Sequence, residues 1–320
     1  MHGRTLAATV AAVLAALLVP AGAAAAPAKP VVTTGAAANV GISTVTLTGR
    51  VNPREAETTW YFQYGTTSLY GAMTAVTSAG SGNRAVAVTV PVGALTPATR
   101  YHYRLIGQNA RGIVKGRDRT FRTLRQPLGV ALAGSPNPVR AGGATTLAGT
   151  LSGTGNAGRQ VVLQANPFPY LQGFQNVANN QVTNAQGGFA FPVVSVPVTT
   201  QFRVLMPHRP EVVSPVVVVG AAVEVTVRRK VTRRGLRRPR VRLRGRITPA
   251  APGTEVLVQR LRATGWATVG RTFARDSSGV ASTFVTRLRP RRSGRFRVLA
   301  NAQGAYVGDV TRSFRIRVRR

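Results

Sequence analysis

Leu95-Thr96-Pro97-Ala98-Thr99-Arg100-Tyr101-His102-Tyr103-Arg104-Leu105 joins turn chemistry to strict side-chain alternation. Pro97 presets φ for a turn and Thr99 can bond the backbone locally. Tyr101, Tyr103 and Leu105 then fall on one face of an extended chain, and His102, Arg104 and Ile106 on the other. The pattern predicts a half-buried strand entered from a tight corner. Working outward, Val45, Leu47 and Val51 belong to an early pair of strands, Trp60, Phe62 and Tyr64 share one face of the next, and Val86, Val88 and Val90 alternate. Thr120-Phe121-Arg122-Thr123 closes the segment. The large rings predict a core of Trp60, Phe62, Tyr64, Tyr101 and Tyr103.

A Tyr two residues after a Pro-x-Thr corner, entering such a strand, resembles the tyrosine corner of immunoglobulin-like and fibronectin type III sandwiches, where the phenol bonds back to the preceding loop. The wider set is Gly49-Arg50-Val51-Asn52-Pro53, Thr59-Trp60-Tyr61-Phe62-Gln63-Tyr64-Gly65-Thr66-Thr67, Asn109-Ala110 and Gly116-Arg117-Asp118-Arg119-Thr120-Phe121. It resembles the fibronectin type III-like modules of exported bacterial proteins, over residues 31–124. The resemblance implies a β-sandwich used as a spacer or binding unit, and no catalytic residues.

Leu124 to Pro127 reads as a linker, after which two stretches, 128–220 and 221–320, resemble each other. Gly149 with Gly158-x5-Gln164 answers Gly245 with Gly253-x5-Gln259, and Phe202-Arg203-Val204-Leu205 returns as Phe296-Arg297-Val298-Leu299. Each copy adds an aromatic, Phe174 or Trp266, and a Gly-containing turn, 184–188 or 276–279. Copies of about 90 residues exceed solenoid units and read as tandem immunoglobulin-like β-sandwiches. The expected fold is all-β, with three sandwich domains in series after a signal peptide.

Residues 1–26 carry that signal: Arg4, an apolar run from Leu6 to Val19, the breakers Pro20 and Gly22, then Ala23 to Ala26. The run is shorter than the ~20 residues of a spanning helix, so cleavage is expected, and with it export. No later stretch is long and apolar enough to span as a helix. The absence of cysteine excludes a disulfide framework, thiol catalysis, Cys-based zinc sites and lipobox anchoring.

Catalytic and cofactor chemistry finds little support. Gly153-Thr154-Gly155-Asn156-Ala157-Gly158 spells GxGxxG, but the strand-like Gln160-Val161-Val162-Leu163 follows where a dinucleotide site needs a helix N-terminus. His102 and His208 lie in different domains, so neither a metal cluster nor a hydrolytic triad can be assembled around them. Glu55 and Glu57 sit beside Arg50 and Arg54, which favours surface ion pairs over a catalytic acid pair. Asp276-Ser277-Ser278-Gly279 reads as an Asx turn with Gly at positive φ. No cofactor, metal or enzymatic activity is expected.

Charge is the one functional signal. The formal net charge is +35, and residues 221–320 hold 26 Arg or Lys against Glu224, Glu255, Asp276 and Asp309, a net +22. Arg240-Val241-Arg242-Leu243-Arg244-Gly245-Arg246-Ile247 turns Val241, Leu243 and Ile247 inward and four guanidinium groups outward, about 7 Å apart. Arg238 extends this row, and Arg315, Arg317 and Arg319 repeat it on the last strand. These eight arginines are the expected polyanion-binding residues. A solvated edge strand blunted by charge explains the same pattern, and GC-rich coding accounts for part of the arginine bias. The expected function is that of a non-catalytic secreted or cell-surface spacer and binding protein, retained on anionic cell-wall or extracellular polymers. Nucleic-acid or acidic-glycan binding is the alternative, or service as an accessory module of a hydrolase. Without aromatics interleaved among the arginines, sequence-specific nucleic-acid recognition is not expected.

Overall fold

A computed structural model describes residues 28–232, 239–277 and 279–318. The signal segment 1–26, Arg238 and Arg319 lie outside them. The described chain is built from strands and turns, without helix.

Two compact units divide at Arg125/Gln126. In the first, Val31–Thr34, Val45–Asn52 and Val86–Val92 form one antiparallel sheet, and Thr58–Gly65 and Arg100–Asn109 centre a second, flanked by Ala72–Met73 and Thr77–Gly80 on one side and by Gly112–Lys115 and Arg119–Arg122 on the other. The alternation of the sequence becomes the inner faces: Val45, Leu47, Val51, Trp60, Phe62, Tyr101, Tyr103 and Leu105 form one cluster with Phe121, and Tyr64 packs partly buried at its margin. Trp60 meets Phe62 edge-on at 6.0 Å and Tyr101 stacks on Phe121 at 5.5 Å. Two positions depart from strict alternation. Ile106 points outward yet is only 1% exposed, flanked on its face by Tyr61 and Lys115. Val86, near the end of its strand, is exposed.

The corner has the expected chemistry. The Thr96 amide donates to the Tyr101 hydroxyl at 2.9 Å, Thr99 Oγ1 donates to the Pro97 carbonyl at 3.0 Å, and Ala98 takes φ 52° between them. Tyr101→Phe leaves the Thr96 N–H without its acceptor and is expected to lower stability by about 1–2 kcal/mol. Urea unfolding checks this; an unchanged midpoint would show that the corner bond contributes nothing.

The linker is shorter than its composition suggests. Leu124 exchanges backbone hydrogen bonds with Gly41 and Ala98 of the first unit, whereas the Gln126 amide donates to Thr154 Oγ1 and its carbonyl accepts from the Thr154 amide in the second. Only Arg125 falls between.

The second unit contains two sandwiches of like topology. Gly129–Ser135, Gly143–Ser152 and Gly188–Val196 face a sheet centred on Gln160–Pro167 and Thr200–Met206. Glu224–Thr232, Arg240–Thr248 and Ser282–Leu288 face one centred on Glu255–Arg262 and Gly294–Asn301. They are not separate beads. Val139–Arg140 runs parallel to Ala221–Ala222, Val307 exchanges backbone hydrogen bonds with Ala221 and Val223, and Tyr306 packs against both cores.

The glycines that reveal the repeat in sequence have a steric reason. Gly149 lies opposite Phe189 and Gly245 opposite Phe284. A Cβ on Gly149 would stand 2.6 Å from the Phe189 ring, and one on Gly245 2.0 Å from that of Phe284. In each case the outer carbons of the ring occupy the space that a Cβ would take.

Candidate functional site

Arg240–Thr248 alternates as expected: Val241, Leu243 and Ile247 are buried, Arg240, Arg244 and Arg246 are exposed and Arg242 is half-buried. The alternative of a charge-blunted edge strand does not hold. This strand pairs along its length with Glu224–Thr232 on one side and with Ser282–Leu288 on the other. An interior strand brings its neighbours' side chains onto the same face. Arg228 stands opposite Arg244, Lys230 opposite Arg242, and Arg287 opposite Arg242 from the far side. Arg275, on the short outer strand, joins beside Thr283. The row becomes a two-dimensional cationic face, with groups about 7 Å apart along each strand and about 5 Å apart between strands.

None of these eight side chains makes an ion pair or a side-chain hydrogen bond among the described residues. Glu224, at the far end of the same face, is engaged by Arg140 at 3.6 Å. Like charges directly opposite one another destabilise a sheet. The face is therefore arranged at a cost to folding, and it offers unpaired guanidinium forks, the geometry that grips phosphate and carboxylate.

The second expected row lies elsewhere. Of its two described members, Arg315 and Arg317, only Arg315 belongs to a strand, Phe314–Ile316, which pairs with Gly294–Asn301 in the other sheet of this sandwich. Its outer face points away from the first, so Arg315 and the exposed Arg317 do not add to the Arg240–Arg246 row. Arg315 is opposite Arg295 there.

Three arginines that sequence left unexplained are tied internally by one device. Arg104, Arg203 and Arg297 each stand opposite a glutamine, Gln63, Gln164 and Gln259, and each donates Nε to its Oε1 at 2.8 Å. Each guanidinium also covers a ring: Tyr70 at 4.4 Å, Phe174 at 4.1 Å and Trp266 at 4.4 Å. The sequence repeat linked the second and third sandwiches, and this clamp links the first to them. The signal available in sequence was the Gln and Arg on successive central strands of all three modules.

Among the described residues, three titratable side chains meet in the first unit. His102 Nδ1 lies 2.8 Å from Asp118 Oδ2, and the Tyr70 hydroxyl donates to Asp118 Oδ1 at 2.9 Å. A carboxylate there holds the imidazole proton on Nδ1, as a catalytic dyad would. Among the described residues no hydroxyl is hydrogen-bonded to the other ring nitrogen. Partial burial pushes the Asp118 carboxyl up, but hydrogen bonds from His102 and Tyr70 and the charges of His102 and Arg104 outweigh it and hold the group below the ordinary carboxylate range. A depressed carboxylate contributes stability above its unfolded pKa of about 3.9 and loses it as pH falls through the folded value. The parent should therefore exceed Asp118→Asn in thermal midpoint above about pH 5 and lose that lead below about pH 4. A difference constant from pH 3 to 6 would rule out this linkage.

Other expected features have simple structural roles. The glycines of GxGxxG take φ 100°, 75° and 65° in the turn before Gln160–Pro167. Asp276 Oδ1 accepts the Gly279 amide, three residues on, at 3.2 Å, and Gly279 takes φ 68°; Ser278, whose amide the expected Asx turn would use, lies outside the described residues. His208 sits exposed in a turn. The ion pairs expected of Glu55 and Glu57 with Arg50 and Arg54 are not formed. Arg54 and Glu55 both adopt positive φ, and the Glu55 amide bonds across to Gly82. Among the described residues no three metal-ligating side chains cluster, and no helix is long and apolar enough to cross a membrane.

No protein-family model and no curated protein matches the chain. Among solved structures it is similar to the FN1–FN3 domains of chicken CNTN1, with 16% identity over 92% of this chain and 99% of that one and a TM-score of 0.29. A tetra-tandem repeat in the extending region of a large adhesion protein is 15% identical over 91% of this chain and 74% of that one, with a TM-score of 0.31. The sensor domain of the anti-sigma factor RsgI4 of Pseudobacteroides cellulosolvens is 14% identical over 30% of this chain and 89% of that one, with a TM-score of 0.21.

Proposed function

We propose that this is a non-catalytic modular protein of the cell exterior, whose sandwiches act as spacers and whose third sandwich holds it on anionic polymers of the envelope. The observation that carries this is the cationic face centred on Arg240, Arg242, Arg244 and Arg246, whose charges have no internal partner among the described residues. Placement outside the cell rests on the N-terminal segment of the sequence. A nucleic-acid reader would interleave aromatic platforms with the basic groups. The only ring on the three long strands of this sheet, Phe284, is buried against Gly245.

Binding of this kind is weakly selective and steep in salt, because each neutralised phosphate releases counterions. Washed envelopes of the producing cells should hold the protein at about 50 mM salt and release it at about 200 mM, across which affinity falls by roughly two to three decades for some six neutralised phosphates. Sedimentation of the protein with the envelopes against salt measures this. Retention indifferent to salt would reject the proposal.

A further inference from the structure

On the cationic face, Lys230, Arg242 and Arg287 lie in register on three adjacent strands. Their stems thus span about 10 Å. Together with Arg240, Arg289, Thr232 and the strand-end Val241 and Leu288, they line a depression of about 330 Å³. Among the described residues, Arg242 differs from every clamped arginine. In Arg104, Arg203 and Arg297 the Nε donates to a glutamine. Arg260 also has an unpaired buried Nε, but its Nη2 donates to the Ser293 carbonyl and its guanidinium covers Phe296. The Nε of Arg242 is shut off from solvent without a hydrogen-bond partner, between two like charges directly opposite.

A buried donor without an acceptor and three adjacent cations both weigh against folding, and one anion in the depression relieves both. Three cationic groups presented from three adjacent strands suit an anion whose acceptor oxygens point in several directions. The two oxygens of a carboxylate lie in one plane with its carbon, whereas those of a phosphate or sulfate ester are arranged tetrahedrally. The depression is also wider than a lone oxyanion, leaving room for the sugar or polyol on either side of an ester. We infer that Lys230, Arg242 and Arg287 form a discrete binding site for a tetrahedral oxyanion, the phosphate or sulfate ester of a polymer. The inference deepens the envelope-binding proposal and rests on it for the ligand's polymeric form, though not for the site itself.

The test uses the full chain and inorganic anions. Raising phosphate or sulfate from about 1 to 100 mM at constant ionic strength should lift the thermal midpoint of the second unit by about 5 °C or more, if the site is half-filled near 1 mM. Acetate and chloride should give no such rise. Arg242→Met, which keeps the stem and removes the donors, should abolish the rise. Arg246→Met, on the same row but outside the depression, should keep it. Arg287→Met, at an exposed position, provides a second variant and should weaken the anion effect at least about tenfold, as expected when one charge-assisted hydrogen bond is removed. Equal rises in Arg242→Met and Arg246→Met, or an equal rise with acetate, would overturn the site.

Retention of the parent on polyphosphate, dextran sulfate and polygalacturonate separates the two proposals. Salt-sensitive retention with no Arg242-dependent anion effect leaves the envelope proposal standing and rejects the site. An Arg242-dependent rise without retention on any polymer keeps the site and rejects the envelope proposal. A larger rise with phosphate than with sulfate, matched by tighter holding on polyphosphate, assigns a phosphate ester; the reverse assigns a sulfate ester.

Discussion

Replacing Arg240, Arg242, Arg244 and Arg246 together by Thr should lower retention on an anionic polymer by about three decades at low salt, at about 1 kcal/mol per surface cation. The slope of log affinity against log salt should fall by about 3, at about 0.7 for each phosphate of a flexible chain that is no longer neutralised. The same variant should fold, because Val241, Leu243, Gly245 and Ile247 keep the inner face intact and Thr suits a strand. It should also melt higher than the parent at low salt. Arg228 then no longer faces Arg244, and Lys230 and Arg287 no longer face Arg242. Weakened binding together with greater stability distinguishes a functional cationic face from an incidental one. Retention and salt slope unchanged from the parent would show that this face does not hold the polymer. The comparison needs the whole protein, because residues 221–320 are not a free-standing piece: Ala221–Ala222 is laddered to Val139–Arg140.

The largest expected loss of stability comes from Gly245. Its missing Cβ is where the Phe284 ring lies, with ring carbons at 2.0, 2.3 and 2.7 Å from the position it would take. Phe284 is only 2% exposed and belongs to the core cluster that includes Leu243, Ile247 and Val258, so the ring has nowhere to retreat without opening that packing. Gly245→Ala should cost about 3 kcal/mol, the upper end of ordinary overpacking, and lower the midpoint of the second unit by roughly 6–12 °C. Combining it with Phe284→Leu should recover part of the loss, with a coupling of about 1–2 kcal/mol in a double-mutant cycle. Strict additivity would mean that the ring and the glycine are not the interacting pair. The substitution falls between Arg244 and Arg246, so any loss of binding it causes must be read after its effect on folding.

Patterning along the chain carries local choices. Period-two alternation chose which side of each strand faces inward, at Tyr101, Tyr103 and Leu105 as at Val241, Leu243 and Ile247, because successive Cβ atoms must point to opposite faces. The corner at Pro97 and Thr99 and the turn from Asp276 to positive-φ Gly279 were legible because their hydrogen bonds span only a few residues. The glycine, glutamine and arginine positions shared by the second and third sandwiches were legible as a repeat, though not the rings and partners that explain them. Which strand lies beside which was decided only in the tertiary structure. The row from Arg240 to Arg246 reads the same on an edge strand as on an interior one. Its partners Arg228, Lys230 and Arg287 are brought alongside by pairing across loops of differing length. Arg315 shows the converse: the same alternation, carried to the opposite sheet, leaves it on the far side of the sandwich. Alternation is a property of one strand's covalent geometry. Neighbourhood in a sheet follows from burying two faces at once between segments distant in the chain, and no single stretch of residues carries that choice.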